Sequence, residues 1–134
     1  MKNSKFQFDE PFVNKMFFEE NERFDKSSVE EIKTNIMCSV LDKTENSAYV
    51  NVQVNIGDDE NAPFKLCVSM CARFYWDNSD DKLEVNHFLN YNAVALLISY
   101  IRPVIANITM NSRFPVFNLP FIDLTVNDSK EKTY

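Results

Sequence analysis

The chain has 134 residues, 45% of them hydrophobic, and 14 Lys and Arg against 20 Asp and Glu give it a net charge of −6. That length suits one domain, residues 1–134, built around one core. The negative balance argues against nucleic acid and anionic membranes as partners, and Gly57 as the only glycine excludes glycine-rich phosphate loops.

The first ten residues, MKNSKFQFDE, hold no apolar h-region, so no signal peptide is expected and the location read from them is cytoplasmic. SKFQF through VNKMFFEE reads as one long strand, bulged or broken at Pro11. IKTNIMCSVL alternates, with Ile32, Ile36, Cys38 and Val40 on one face. In AYVNVQVNI, Val50, Val52, Val54 and Ile56 face one way, and Tyr49, Asn51, Gln53 and Asn55 the other. FKLCVSMCARFYW puts Phe64, Leu66, Val68, Met70, Ala72, Phe74 and Trp76 on one face. DKTENS and GDDENAP are short, polar and rich in turn formers, as hairpin loops are. Strands joined this way form an antiparallel meander with one wet face. Cys67 and Cys71 share a strand face about 13 Å apart, too far for a disulfide, and with Cys38 read as reduced thiols.

Past residue 84 the period becomes helical. Val94, Leu97, Ile98, Ile101, Ile105 and Ile108 form a stripe, preceded by a polar linker, DNSDDKLEVNHF. Asn90 or Asn92 is the expected N-cap, the helix runs to about Thr109, and Pro103 is expected to kink it near Ser99. Its longest apolar run, AVALLISYI, is too short to span a bilayer, so no membrane insertion is expected. The helix is apolar on most sides and needs two partners, its own sheet and another subunit, which would meet Leu97, Ile101, Ile105 and Ile108. NSRFPVFNLPFIDL follows, an apolar segment whose two prolines forbid a regular helix or a central strand. The polar end, residues 125–134, reads as a flexible tail. The fold class is therefore α+β: a four-stranded antiparallel sheet, one long helix, and an irregular apolar C-terminal segment.

Catalytic chemistry finds little support. His87 is the only histidine, and it has no second His or Cys at ligand spacing. Glu19 and Glu20, the Asp58–Glu60 run and the DNSDD cluster sit at turns and strand ends, where they solvate the surface. No hydrolase, zinc-protease or C-x-x-C motif is present. The expectation is a non-enzyme with no metal and no cofactor. Apolar surface is in surplus instead, with twelve Phe residues. If the linker and the tail both cross the helix, Phe74, Trp76, Phe88, Leu89, Phe114, Phe117 and Phe121 converge beside it as a groove.

FPVFNLPFIDL resembles the F-P-x-L-N-L-A-P-V-[ND]-F signature of the SecB-type export chaperones, with Phe114, Pro115, Asn118 and Leu119 in place. NAVALLISYIRPVI is similar to that family's long helix, matching its Tyr-x-Arg at Tyr100 and Arg102, and FKLCVSMCARFYW to its fourth strand. The resemblance spans roughly residues 5 to 124. It implies a homotetramer, a dimer of dimers, that holds unfolded polypeptide clients in apolar grooves without ATP. It also implies docking to the translocase motor SecA in protein export, through positions that match at Glu19 and Leu66. Several positions depart from the pattern. Ala72 and Arg73 replace a Gly-Gly, Pro103 follows the Arg instead of preceding the Tyr, and Lys15 and Val68 replace carboxylates of the SecA surface. Ten residues after Leu124 leave the family's second helix short or missing. These departures fit a SecB-like chaperone dedicated to one partner, such as an antitoxin, or a non-catalytic accessory protein.

Overall fold

The computed structural model describes residues 5–23, 32–57, 59–78, 80–120 and 131–133. Strands β1 (Gln7–Phe8), β2 (Phe12–Glu20), β3 (Thr34–Leu41), β4 (Ser47–Ile56) and β5 (Phe64–Tyr75) come first. Helix segments α1 (Lys82–His87) and α2 (Ala93–Met110) follow, joined by a π-turn at Phe88–Asn92, and a short β6 (Glu131–Thr133) comes last.

The alternating segments form the strands they predict. Val50, Val52, Val54 and Ile56 of β4 lie opposite Ala72, Met70, Val68 and Leu66 of β5. All eight are buried under the helix. The two hairpins make β3–β4–β5 a meander. The first strand does not continue it. β1 and β2 pair antiparallel with β5, so the sheet runs first strand, β5, β4, β3, with β6 beyond β3. Alternation says which way a side chain points and nothing about which strand lies alongside.

Pro11 separates β1 from β2, and a bulge follows between Val13 and Lys15. The extra residue, Asn14, restarts the alternation, which is why FVNKMFFEE shows no clean period in sequence. The sole glycine sits where only glycine fits. Gly57 ends β4 with φ +79°, and an added Cβ would lie 2.0 Å from the Phe64 carbonyl oxygen.

The helix begins earlier than its apolar stripe suggests. Residues Lys82–Met110 form one continuous helix of 29 residues, so most of the expected linker is its first two turns. Asp81 is the N-cap, its carboxylate accepting from the Leu83 N–H; Asn92 makes no such bond and sits mid-helix. Asn90 spends its side chain on the Asn86 carbonyl one turn back. Val85, Leu89, Ala93, Leu97, Ile101, Ile105 and Thr109 recur every fourth residue, and all are buried. Each step of four overshoots a turn by about 40°. The wider π-turn takes back part of that drift and keeps the stripe on the sheet. The helix continues through Pro103, which has no N–H to give the Ser99 carbonyl and whose exposed ring points away from the sheet. By length and composition this helix could cross a membrane, but its apolar stripe is already covered by β4 and β5.

Candidate functional site

The proline-broken segment leaves the helix at Asn111 and doubles back along it. Side chains supply the hydrogen bonds that prolines deny to regular structure. Ser112 Oγ donates to the Thr109 carbonyl and accepts from the Phe114 N–H. Thr109 is fully buried. Its hydroxyl donates to the Ile105 carbonyl at 3.0 Å and accepts from the Phe117 N–H at 2.8 Å. Two turns further back, the Arg102 guanidinium donates to the Leu119 carbonyl and, at 3.1 Å, to that of Pro120. Arg113 pairs with Glu20 at the end of β2. The segment is thus pinned along α2, with Leu119 buried in the core and Val116 exposed.

The expected groove residues do not converge. Because residues 82–92 are helical, they lie at opposite ends of the helix. At its start, Phe88 stacks on Phe6 with ring centroids 4.0 Å apart and meets Phe74 edge-on at 5.7 Å. Past its end, Phe114 packs against Phe64, which also meets Phe18 of β2. Phe74, Trp76 and Leu89 are buried in the core; Phe88, Phe114 and Phe117 are half-buried; Phe121 lies outside the described residues. Much of the aromatic surplus is therefore core. Trp76 walls a cleft of 520 Å³ between the β3–β4 hairpin and the helix start, and its indole N–H donates to the Glu45 carbonyl.

Most of the exposed large apolar residues lie instead on the outer strands, where sequence reading did not look; Leu83, Tyr100, Met110 and Val116 are exposed singly on the helix and the segment after it. On β2, Phe12, Met16 and Phe17 are 49%, 59% and 45% exposed, with Val13 beside them. On β3, Met37 and Leu41 are 44% and 48% exposed, and Val40 is also open. The pairing register divides these between the two faces. Phe12 and Phe17 lie opposite Cys71 and Cys67, and Met37 and Leu41 opposite Gln53 and Tyr49, all away from the helix. Val13, Met16 and Val40 point to the helix side, beyond its cover. Between them runs the expected wet stripe of β4, where Asn14 donates to Asn51, which donates to Ser69. The missed signal was β2 itself, a strand with apolar residues on both faces. Burial pushes the thiols of Cys67 and Cys71 above the usual thiol range. That keeps them protonated and inert under this stripe.

The remaining expected positions separate as well. Glu19 is exposed on the helix-free face, but Leu66 and Val68 are buried beneath the helix, so the two matching SecA positions share no surface. Leu97, Ile101 and Ile105 are wholly enclosed by the chain's own sheet and leave no side-chain surface for a second subunit; Ile108 is half-buried. The phase of the helix decides this. Its exposed face carries Ala95, Tyr100, Pro103 and Met110 instead. His87 lies on α1 against Tyr91, not in a linker. Among the described residues no group of three or more His, Cys, Asp or Glu is placed to hold a metal ion.

No family model matches this sequence, and no curated protein matches it. The fold, however, is found among solved structures. The SecB-like chaperone of Mycobacterium tuberculosis, in complex with a ChAD peptide from the HigA1 antitoxin, superposes with a TM-score of 0.70 over 88% of this chain and 91% of that one, at 13% identity. A Streptococcus agalactiae protein of unknown function gives 0.50 over 87% and 97%, also at 13% identity. The chain has a SecB-like α+β fold, as the FPVFNLPFIDL segment implied.

Proposed function

We propose that this chain is a nucleotide-independent chaperone that holds an extended segment of another polypeptide, and that its client is a dedicated partner such as an antitoxin. The observation that carries this reading is the apolar, exposed character of both outer strands, β2 and β3. A strand at a sheet edge offers main-chain hydrogen bonds that any sequence can take, and alternate apolar side chains add affinity. The M. tuberculosis chaperone of the same fold was solved with a peptide from an antitoxin, which supports the dedicated form over a general export role. Delivery to SecA has weaker support. Leu66 is enclosed, and Glu19 lies between Lys15 and its cross-strand partner Lys65, a mixed surface that gives a basic tail little to grip.

We assign the β2 edge to a second copy of the chain. Among the described residues β2 pairs with β5 alone, and an edge this long and apolar invites self-pairing. That leaves the β3 side for the client. Pairing at the β2 edge gives a dimer, and the homotetramer, a dimer of dimers, takes a second contact, for which the exposed Tyr100 and Met110 of α2 are available.

The test dilutes a chemically denatured protein into buffer and follows its aggregation by light scattering, with and without this chain and with no nucleotide. The mass of the assembly is read in parallel. A dedicated chaperone is a multiple of 15.7 kDa in solution. It suppresses aggregation of a co-expressed product of a neighbouring gene, and of unrelated proteins less well. Leu41→Asp should remove the effect without unfolding the chain. Failure to protect any substrate, even at excess, refutes the holding function and leaves an accessory role.

A further inference from the structure

The edge of β3 is already occupied by the chain itself. Asn35, Ile36 and Met37 lie opposite Thr133, Lys132 and Glu131 in antiparallel register. The added strand is short, covering three positions of an eight-residue strand. Its residues, Glu, Lys and Thr, bring no large apolar side chain. Farther along the same strand Val40 and Leu41 stay exposed, as Met37 does beside β6 itself.

We propose that β6 is a tethered stand-in for a bound polypeptide: the chain's own C-terminus closes the β3 edge, and a client strand displaces it. This rests on the polypeptide-holding reading above. The edge accepts an extended antiparallel strand, because β6 is one. A few backbone hydrogen bonds hold such a strand weakly. Covalent attachment compensates, since a strand belonging to the same chain meets the edge at an effective concentration in the millimolar range. The outcome is an edge closed most of the time and open often enough for exchange. A client with apolar residues at alternate positions gains what the tail lacks, contact with Met37 and Leu41 on one face and Val40 on the other. A closed edge also keeps idle copies from pairing there with one another.

The experiment measures binding of fluorescently labelled, reduced and carboxymethylated α-lactalbumin by anisotropy. It compares the full chain, a chain ended at Leu124, and the full chain carrying Lys132→Pro with Thr133→Pro. Proline at both positions removes a ladder donor whichever of the two faces β3. A tail that closes the edge three-quarters to nine-tenths of the time lowers affinity roughly four- to tenfold. Both altered chains should therefore bind that much tighter. Of Ile36 and Met37, the amide that donates toward β6 should be protected about four- to tenfold in the full chain, lose that protection in the altered chains, and regain it once α-lactalbumin is added; the other, which faces β4, should exchange alike in all three. Equal affinity in all three would overturn the proposal while leaving the holding function intact. Weaker binding by both altered chains would overturn it too, by making the tail part of the site. No binding by any of the three would remove the holding function itself, and this proposal with it.

Discussion

Thr109→Val tests how the proline-broken segment is held. Valine has nearly the shape of threonine, so the substitution leaves the buried volume almost unchanged and removes only the hydroxyl. Thr109 is fully buried, and its oxygen is the acceptor for the Phe117 N–H at 2.8 Å. Losing a hydrogen bond costs about 0.5–1.5 kcal/mol net, and an unsatisfied donor that stays buried costs about 1–3. The valine methyl, at home in an apolar site, offsets part of this. The expected destabilisation is about 2 kcal/mol, a fall in Tm of roughly 5–8 °C for a chain of this size. Thr109→Ser is the control. It keeps the hydroxyl and loses one methyl, about 1 kcal/mol. Thermal unfolding gives the stabilities, and hydrogen exchange at the Phe117 amide separates the mechanisms. Valine should speed exchange there about tenfold or more, while serine leaves it protected. If valine leaves Phe117 protected, or unfolds at or above the parent's Tm, the hydroxyl does not pin the segment and the account given for it is wrong.

Four further outcomes follow from the same structure. Arg102→Lys keeps the charge but loses the fork that spans the Leu119 and Pro120 carbonyls. It should cost about 1 kcal/mol and raise the rate of tryptic cleavage after exposed Arg113. Gly57→Ala combines a positive φ with a clash against the Phe64 carbonyl and should cost roughly 2–4 kcal/mol in denaturant titrations. Ile101→Ala opens a cavity in the chain's own core. It should cost about 2–5 kcal/mol while leaving the mass in solution unchanged; dissociation into smaller species with stability retained would instead place Ile101 at a subunit contact. Mass-spectrometric alkylation should find Cys38 modified ahead of Cys67 and Cys71, whose thiols burial pushes up. A raised thiol pKa means that stability is constant below the ordinary thiol value and falls as pH rises through the folded one. Alkylation of the two buried thiols should therefore accelerate only in that alkaline range.

Much of the fold was legible because burial leaves a period in the chain. The clean alternation of β4, with Val50 to Ile56 inward and Asn51 to Asn55 outward, named its strand and both its faces. The i, i+4 stripe from Val94 to Ile105 named the helix and the side it buries. The first turns of that helix escaped notice. Asp81, Lys82, Glu84, Asn86 and His87 dilute the apolar signal to Val85 and Leu89, and an N-cap aspartate followed by polar residues also reads as a loop. That one misreading moved Phe88 to the far end of the helix from Phe114, so the aromatic residues form two clusters instead of one groove.

Composition and periodicity, with the FPVFNLPFIDL segment, determined by themselves the α+β class, the order of strands before helix, the proline-barred irregularity of residues 114–120 and the SecB-like fold. These are local matters, set by which side chains seek burial and which backbones can take a helix or strand. Tertiary structure alone decided which strands became edges, that Leu97 and Ile101 bury against the chain's own sheet and not against a second subunit, and that Phe12, Met16, Phe17 and Leu41 stayed out. A side chain's exposure depends on what the rest of the chain lays over it. The helix has width enough for β4 and β5, and the strands on either side keep their apolar residues exposed.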